Sequence, residues 1–308
     1  MQKIQEIKNE IQKIIVGHQN LIDSMLIALL CEGHLLVEGV PGVAKTTAIN
    51  ALAKSLGVNF KRIQFTPDLL PSDITGTMIY NQKEQKFEVK KGPVFTNLLL
   101  ADEINRAPAK VQSALLEVMQ EKQVTIGEES FKLEPPFLVM ATQNPVEQEG
   151  AYNLPEAQLD RFMMKVNVGY NTFDEEFLIV KKIAKEEVGF ESIKQVANRD
   201  DLKRLKQEVK NVHIDDEIVK YILEIIFATR NNHQYLLYGA SPRASLDLFR
   251  ASRARAYLDQ KDFVTPLDVA KVAPEVLKHR LILNYKAMSE GIKAEDIVKD
   301  ILENIKAP

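Results

Sequence analysis

Hydrophobic positions change their spacing several times along the chain, and each change marks an element. Over the first 33 residues Ile4, Ile7, Ile11 and Ile14 recur every three or four positions. After a break at Gly17 the stripe resumes with Leu21, Met25, Ala28 and Leu29, the period of helices that bury one face. Residues 34–38 then form a short apolar run that ends in glycine, the pattern of a strand buried on both faces. Helical spacing returns over 45–56 (Ile49, Leu52, Ala53, Leu56), and 60–65 read as another strand. Strand, glycine-rich turn, helix, strand is a βαβ unit.

Further strands are predicted over 98–102, 137–142 and 163–168. Between the first two, a helix opens at Pro108 and carries the stripe Val111, Leu115, Val118 and Met119; proline suits a first helical turn. Two polar hairpins interrupt this series, one over 78–89 with Tyr80 and Phe87 flanking a charged tip, the other over 124–133 around Gly127. They read either as solvated surface or as contact loops. Beyond about residue 170 no strand signal of comparable strength occurs, and helical spacing is expected over 174–187, 200–210, 215–232, 242–259 and 265–278. The expected architecture is an α/β domain over 1–170 with a central parallel sheet, followed by a helical domain over 171–308.

Composition mainly excludes. With 45% hydrophobic residues in 308, a sizeable core is within reach. The formal charge of −3 argues against a nucleic-acid binder built on bulk positive charge. The single Cys31 cannot close an intramolecular disulfide and sits in an apolar stretch, as a small buried hydrophobe would. The first residues alternate charge with isoleucine, and the most apolar stretch, 21–31, is short and contains Asp23. Neither fits a signal peptide or a membrane span, so a soluble, cytoplasmic protein is expected.

Candidate chemistry lies in the turn after the first strand, where Gly39-Val40-Pro41-Gly42-Val43-Ala44-Lys45-Thr46 leads into a helix. Glycines let successive backbone N–H groups curl around a phosphate, and the helix N-terminus behind them favours an anion. Lys45 would reach the β- and γ-phosphates of ATP, and the Thr46 hydroxyl would bind Mg²⁺. Ala44 departs from the strict pattern, which has glycine there. A second signal is the apolar strand ending in Asp102 and Glu103. Carboxylates at the carboxyl edge of a parallel sheet suit Mg²⁺ (Asp102) and proton abstraction from an attacking water (Glu103).

The loop GVPGVAKT, the run NLLLADEINRAPAKVQSALLEVMQE, the stretch ATQNPVEQEGAYNLPEAQLDRF and the later GASPRASLDLFRASRARAYL resemble the MoxR family of AAA+ ATPases. The resemblance spans roughly residues 16–277 in matching order, and alanine at the position of Ala44 is usual for that family. It implies an AAA+ domain with a helical lid, Mg²⁺-dependent hydrolysis of ATP to ADP, and a homo-oligomeric ring, expected to be a hexamer. It implies nucleotide contacts along the loop through Thr47, and an adenine pocket at Val16, Gly17 and His18; His18 could equally only start a helix. Asn144 resembles the sensor-1 residue, with a turn-former before Pro145 as the plain alternative. Arg161 resembles an arginine finger acting on the neighbouring subunit, against a surface arginine paired with Asp160 or Glu156. Arg243 resembles the sensor-2 arginine, against a pairing with Asp247, and its subunit of action is open. Arg106 and Asn105 read as a helix-entry turn or as subunit contacts, and the row Arg250, Arg253, Arg255 as a solvated or subunit-facing surface. The resemblance implies a client protein remodelled or matured by the ring, in some members one with a von Willebrand factor A domain. The competing functions are an ATP-dependent scaffold with little turnover, or a motor on DNA or in metal insertion as in related branches. No nucleic-acid partner is expected.

Overall fold

The computed structural model describes the chain except Pro41, residues 145–151, residues 185–189 and Asn232. Two helices, α1 (Gln2–Ile14) and α2 (Gln19–Leu30), precede strand β1 (Leu35–Gly39), helix α3 (Lys45–Leu56) and strand β2 (Phe60–Gln64). A short helix α4 (Pro71–Thr75) leads into the hairpin β3 (Gly76–Asn81) and β4 (Lys86–Lys91). Strand β5 (Leu98–Asp102), helix α5 (Ala109–Glu121) and the hairpin β6 (Gln123–Ile126) and β7 (Glu129–Lys132) follow. Strand β8 (Leu138–Gln143), helix α6 (Glu156–Leu159) and strand β9 (Met164–Val168) complete this part. The remainder holds α7 (Phe173–Ala184), α8 (Arg199–Asn211), α9 (Asp216–Arg230), strand β10 (Leu236–Tyr238), α10 (Pro242–Leu258), α11 (Pro266–Leu277), strand β11 (Ile282–Leu283), α12 (Tyr285–Glu290) and α13 (Ala294–Asn304).

Five strands form one parallel sheet in the order β2-β5-β8-β1-β9. Alternation splits their side chains between two cores. Leu98 and Leu100 of β5, Leu138 and Met140 of β8, and Leu35 and Val37 of β1 face the larger one; Leu99, Ala101, Val139, Ala141 and Leu36 face the other. That division follows from successive side chains pointing to opposite faces of a strand. The smaller core is closed by α5 and the turn before it. The larger takes in the isoleucines of α1, nearly all of α2, the inner face of α3, and then residues of α8, α9, α10, α11 and α13. Buried His34 clamps the sheet: its Nδ1 accepts from the Val139 N–H at 3.0 Å, and Nε2 lies 3.1 Å from the Met119 carbonyl. Burial holds its pKa down to about 4, so the ring is neutral and Nε2 donates.

The expected sheet strands and both hairpins are present, with the hairpins pairing antiparallel through Tyr80↔Phe87 and Val124↔Phe131. The part after residue 170 departs from the purely helical expectation. Leu236–Tyr238 and Ile282–Leu283 pair antiparallel; segments of three and two residues are too short to show alternation in sequence. No helix among the described residues is long and apolar enough to cross a membrane.

Candidate active site

The loop after β1 is shaped by close approach on one side and open space on the other. A Cβ at Gly39 would lie 2.4 Å from the Val168 carbonyl of β9, so only glycine lets these strands approach there, whereas a Cβ at Gly42 (φ +87°) would meet nothing within 4 Å. Ala44 adopts the left-handed conformation (φ 54°, ψ 18°) and is the N-cap of α3 without a side-chain cap. The first N–H groups of α3 therefore face the loop with no side chain from the cap to satisfy them. Lys45 Nζ donates to the Gly39 carbonyl at 2.7 Å. Desolvation lowers its pKa, and the charges of Asp102 and Glu103 act in the opposite sense.

Gly42, Val43, Ala44, Lys45, Thr46 and Thr47 line a cleft of about 320 Å³ together with Arg62, Asp102, Glu103 and Asn144. Strand register explains the gathering. Ala101 pairs with Ala141, which puts Thr142 beside Asp102; the Thr142 hydroxyl donates to Asp102 Oδ1 at 2.5 Å and accepts the Glu103 N–H at 2.8 Å. Gln64 stands opposite Asp102 in β2. Arg62 Nη2 donates to Asp102 Oδ2 at 2.6 Å, and Gln64 Nε2 to Glu103 Oε2 at 2.6 Å. Arg106 lies 3.2 Å from the same Glu103 oxygen. Asn144, just past β8, is 8% exposed and lies on the cleft wall. Sequence reading missed Arg62, Gln64 and Thr142. The two-residue spacing of Arg62 and Gln64 in a strand beside the acidic one was the available signal.

Val16, Gly17 and His18 lie outside the lining of that cleft and join α1 to α2. The Val16 carbonyl accepts from Asn171 at 2.9 Å, His18 (φ 49°) starts α2, and its buried Nε2 has no hydrogen-bond partner among the described residues. Val40 packs at the edge of the larger core. Pro41 lies outside the described residues.

Arg161 and Arg243 line a separate cleft of about 400 Å³ with Gly33, Met163, Leu246 and Arg250. Neither is among the residues that line the loop cleft. Among the described residues Arg161 donates to the Leu116 carbonyl alone, at 3.3 Å. The expected alternative, a pairing with Asp160 or Glu156, does not occur among the described residues. Asp160 is instead 3.3 Å from Arg243 Nη1, 2.7 Å from the Ser241 hydroxyl and 3.0 Å from Arg280 Nε. Arg243 accordingly pairs with Asp160 and not with Asp247, which binds Arg280 Nη2 at 2.6 Å. Arg280 is buried and also donates to the Phe162 carbonyl at 2.9 Å. One guanidinium thus joins the segment bearing Arg161 to the helix bearing Arg243. Arg255 is turned inward to Asp23 (2.8 Å) and Asp259, so the row 250–255 is not uniformly a surface.

The first cleft fits a nucleotide phosphate chain and a hard cation. It offers helical N–H groups without a side-chain cap, room beside Gly42, an ammonium whose partner among the described residues is a backbone carbonyl, and hydroxyl and carboxylate oxygens at Thr46 and Asp102. Oxygen donors are what Mg²⁺ takes.

Residues 34–164 match the family model described as ATPase family associated with various cellular activities (AAA), and residues 228–301 match the AAA lid domain. The chain is 48% identical to Chaperone MoxR1 of Mycobacterium tuberculosis, over 97% of this chain and 81% of that one. It is 49% identical to the Bacillus subtilis protein YeaC, over 97% and 92%. Protein MoxR of Methylorubrum extorquens is 29% identical over 98% of this chain and 94% of its own length. A solved structure from Cytophaga hutchinsonii superposes with a TM-score of 0.93 at 48% identity, covering 100% of this chain and 95% of the other. A nucleotide cleft on a five-stranded parallel sheet, a lid domain after it and relatives matched over most of their length lead to one conclusion: the chain belongs to the MoxR family of AAA+ ATPases, enzymes that bind nucleotide and hydrolyse ATP.

Proposed function

We propose that the chain is one subunit of a head-to-tail ring, a hexamer, whose ATP hydrolysis remodels or matures a client protein. The nucleotide-binding domain is taken as 1–170 and the lid as 171–308. The observation that carries this reading is the separation of the arginines from the phosphates. Arg161 and Arg243 share one cleft, and the loop with its carboxylates occupies another. Charge developing on a transferred phosphoryl group needs a fixed guanidinium, and none but Arg62, already paired with Asp102, lines the loop cleft among the described residues. A site completed by a neighbour's residues demands heterologous packing, and closure of such packing makes a ring. Both arginines then act in trans.

Within the site, Lys45 and the N–H groups of residues 42–47 hold the phosphates, and Val16, Gly17 and His18 border the base. Thr46 and Asp102 would hold Mg²⁺, which would supply neutralisation of phosphate charge there. Glu103 takes the proton of the attacking water, and Asn144 orients that water. Gln64 and Arg106, both on the Glu103 carboxylate, hold it in place until nucleotide and neighbour are bound. The hairpin β3–β4, with exposed Met78, Ile79, Tyr80 and Phe87, is the contact for the client.

The test mixes Arg161→Ala subunits with Glu103→Gln subunits, each inactive alone. A finger acting in trans restores part of the ATPase rate in mixed rings, because a Glu103→Gln subunit supplies the arginine to an intact carboxylate. No recovery at any ratio overturns the reading.

A further inference from the structure

Helix α7 has two faces with opposite fates. At about 100° per residue, positions 175, 179 and 182 fall on one side and positions 173, 177 and 180 on the other. The first set meets its own chain. Glu175 lies against Gly17, Ile179 is half-buried, and Lys182 donates to the Lys13 carbonyl at 3.0 Å. The second set is Phe173, Phe177 and Val180, which are 85%, 52% and 65% exposed. No residue of α7 is buried. A stripe of two phenylalanines and a valine at i, i+4, i+7 is the spacing of a face built for burial, and patches of this kind mark interaction sites. Asp174 and Glu176 flank it and make no ion pair among the described residues.

A complementary surface lies on the lid. A cleft of about 460 Å³ is lined by Cys31, Lys122, Lys210, Phe249, Arg250 and Arg253. Glu32 beside it is taken up by Lys206 at 2.8 Å and Lys122 at 3.7 Å. Lys210, Arg250 and Arg253 have no carboxylate partner among the described residues. Arg253 stacks on Phe249 at 4.5 Å, and its buried Nε has no acceptor among the described residues. Exposed Leu246 stands one turn before Arg250 on α10. The cleft therefore offers cations around an apolar rim, and α7 offers carboxylates around an apolar stripe.

We propose that α7 of one copy docks in the lid cleft of the next copy, its acidic first turn against Lys210, Arg250 and Arg253 and its apolar stripe against Phe249 and Leu246. The inference rests on the head-to-tail ring proposed above and deepens it. The spacing agrees with that ring. Arg243 and Arg250 share a face of α10, two turns or about 10.5 Å apart, and α7 sits on Gly17, beside the proposed base-binding end of the cleft. When Arg243 reaches the neighbour's phosphates, Arg250 arrives at the far end of the same nucleotide site, where α7 stands.

The experiment measures assembly of the full chain with MgATP by sedimentation velocity over a concentration series. Phe177→Asp/Val180→Asp, Asp174→Lys/Glu176→Lys and Lys210→Glu/Arg250→Glu should each raise the assembly midpoint at least tenfold. All six positions are exposed, and an unchanged circular-dichroism melt shows that the variants fold. Combining the two charge reversals in one chain should recover at least half of the lost assembly on a logarithmic scale, since the opposed signs are restored at Lys210 and Arg250 while Arg253 keeps its charge. Wild-type assembly of the α7 variants overturns the inference, as does a combined variant weaker than either parent. Retained assembly with loss of client processing in Phe177→Asp/Val180→Asp also overturns it, assigning α7 to the client instead. The mixing experiment separates the two readings: rescue there with wild-type assembly here removes only the docking of α7, whereas no rescue there removes the ring itself.

Discussion

Replacing Arg280 by methionine removes the one buried guanidinium that holds Asp160, Asp247 and the Phe162 carbonyl together. Methionine fills similar volume, so the loss is electrostatic. Removing one partner of a buried ion pair leaves the other charge uncompensated and costs about 3–5 kcal/mol. At about 2.1 cal/mol/K of unfolding entropy per residue, 308 residues give about 0.65 kcal/mol/K, so melting should fall by about 5–8 °C. The deficit should also depend on pH. Burial raises the pKa of Asp247 above the ordinary carboxylate value, and Arg280 pulls it back; without Arg280 it rises further. A carboxyl whose folded pKa exceeds its unfolded one contributes stability at low pH and loses it as pH rises through the folded value. The variant's deficit is therefore greatest near pH 8 and shrinks as pH falls towards 5 and Asp247 becomes neutral. Circular-dichroism melts of both proteins at the two pH values measure this. ATP turnover should fall as well, because Arg161 and Arg243 lose their common anchor. A deficit under about 1.5 °C, or one equally large at both pH values, would refute the reasoning.

Glu103→Gln should keep ATP affinity within about threefold and lower turnover by at least a hundredfold, the range expected when a general base is removed; fluorescent-nucleotide titration and phosphate release measure the two. Equal turnover would remove Glu103 from the chemistry. Ala44→Gly relieves a left-handed alanine costing roughly 1–2 kcal/mol but loosens the unfolded chain by roughly 0.4–1 kcal/mol. Melting should therefore stay level or rise by up to about 2 °C, and a clear fall would mean that the alanine methyl itself supports the loop.

Parts of this site were legible in sequence because they are local. The loop from Gly39 to Thr46 and the pair Asp102-Glu103 each combine an apolar strand with its chemistry in consecutive residues, so periodicity and motif coincide. Thr142 beside Asp102 was not legible, since that contact is set by the register of β5 on β8. Arg280 binds Asp160 and Asp247 across stretches of chain with no repeating pattern between them, and only the packing of α10 and α11 brings them together. Helix α7 shows a third kind of gap. Its spacing announced a helix, but spacing cannot distinguish an apolar face packed on its own chain from one left outside it. The pairing of β10 with β11 escaped because two or three residues carry no period.

The larger core runs from one sheet face through α2 into α10, α11 and α13, and Arg255 on Asp23 and Arg280 on Asp160 join the same parts by ion pairs. A lid that moved during ATP turnover would have to break these contacts, whereas sliding of one subunit on the next would leave them whole. In the ring proposed above, the joint expected to flex is therefore the one made of two chains.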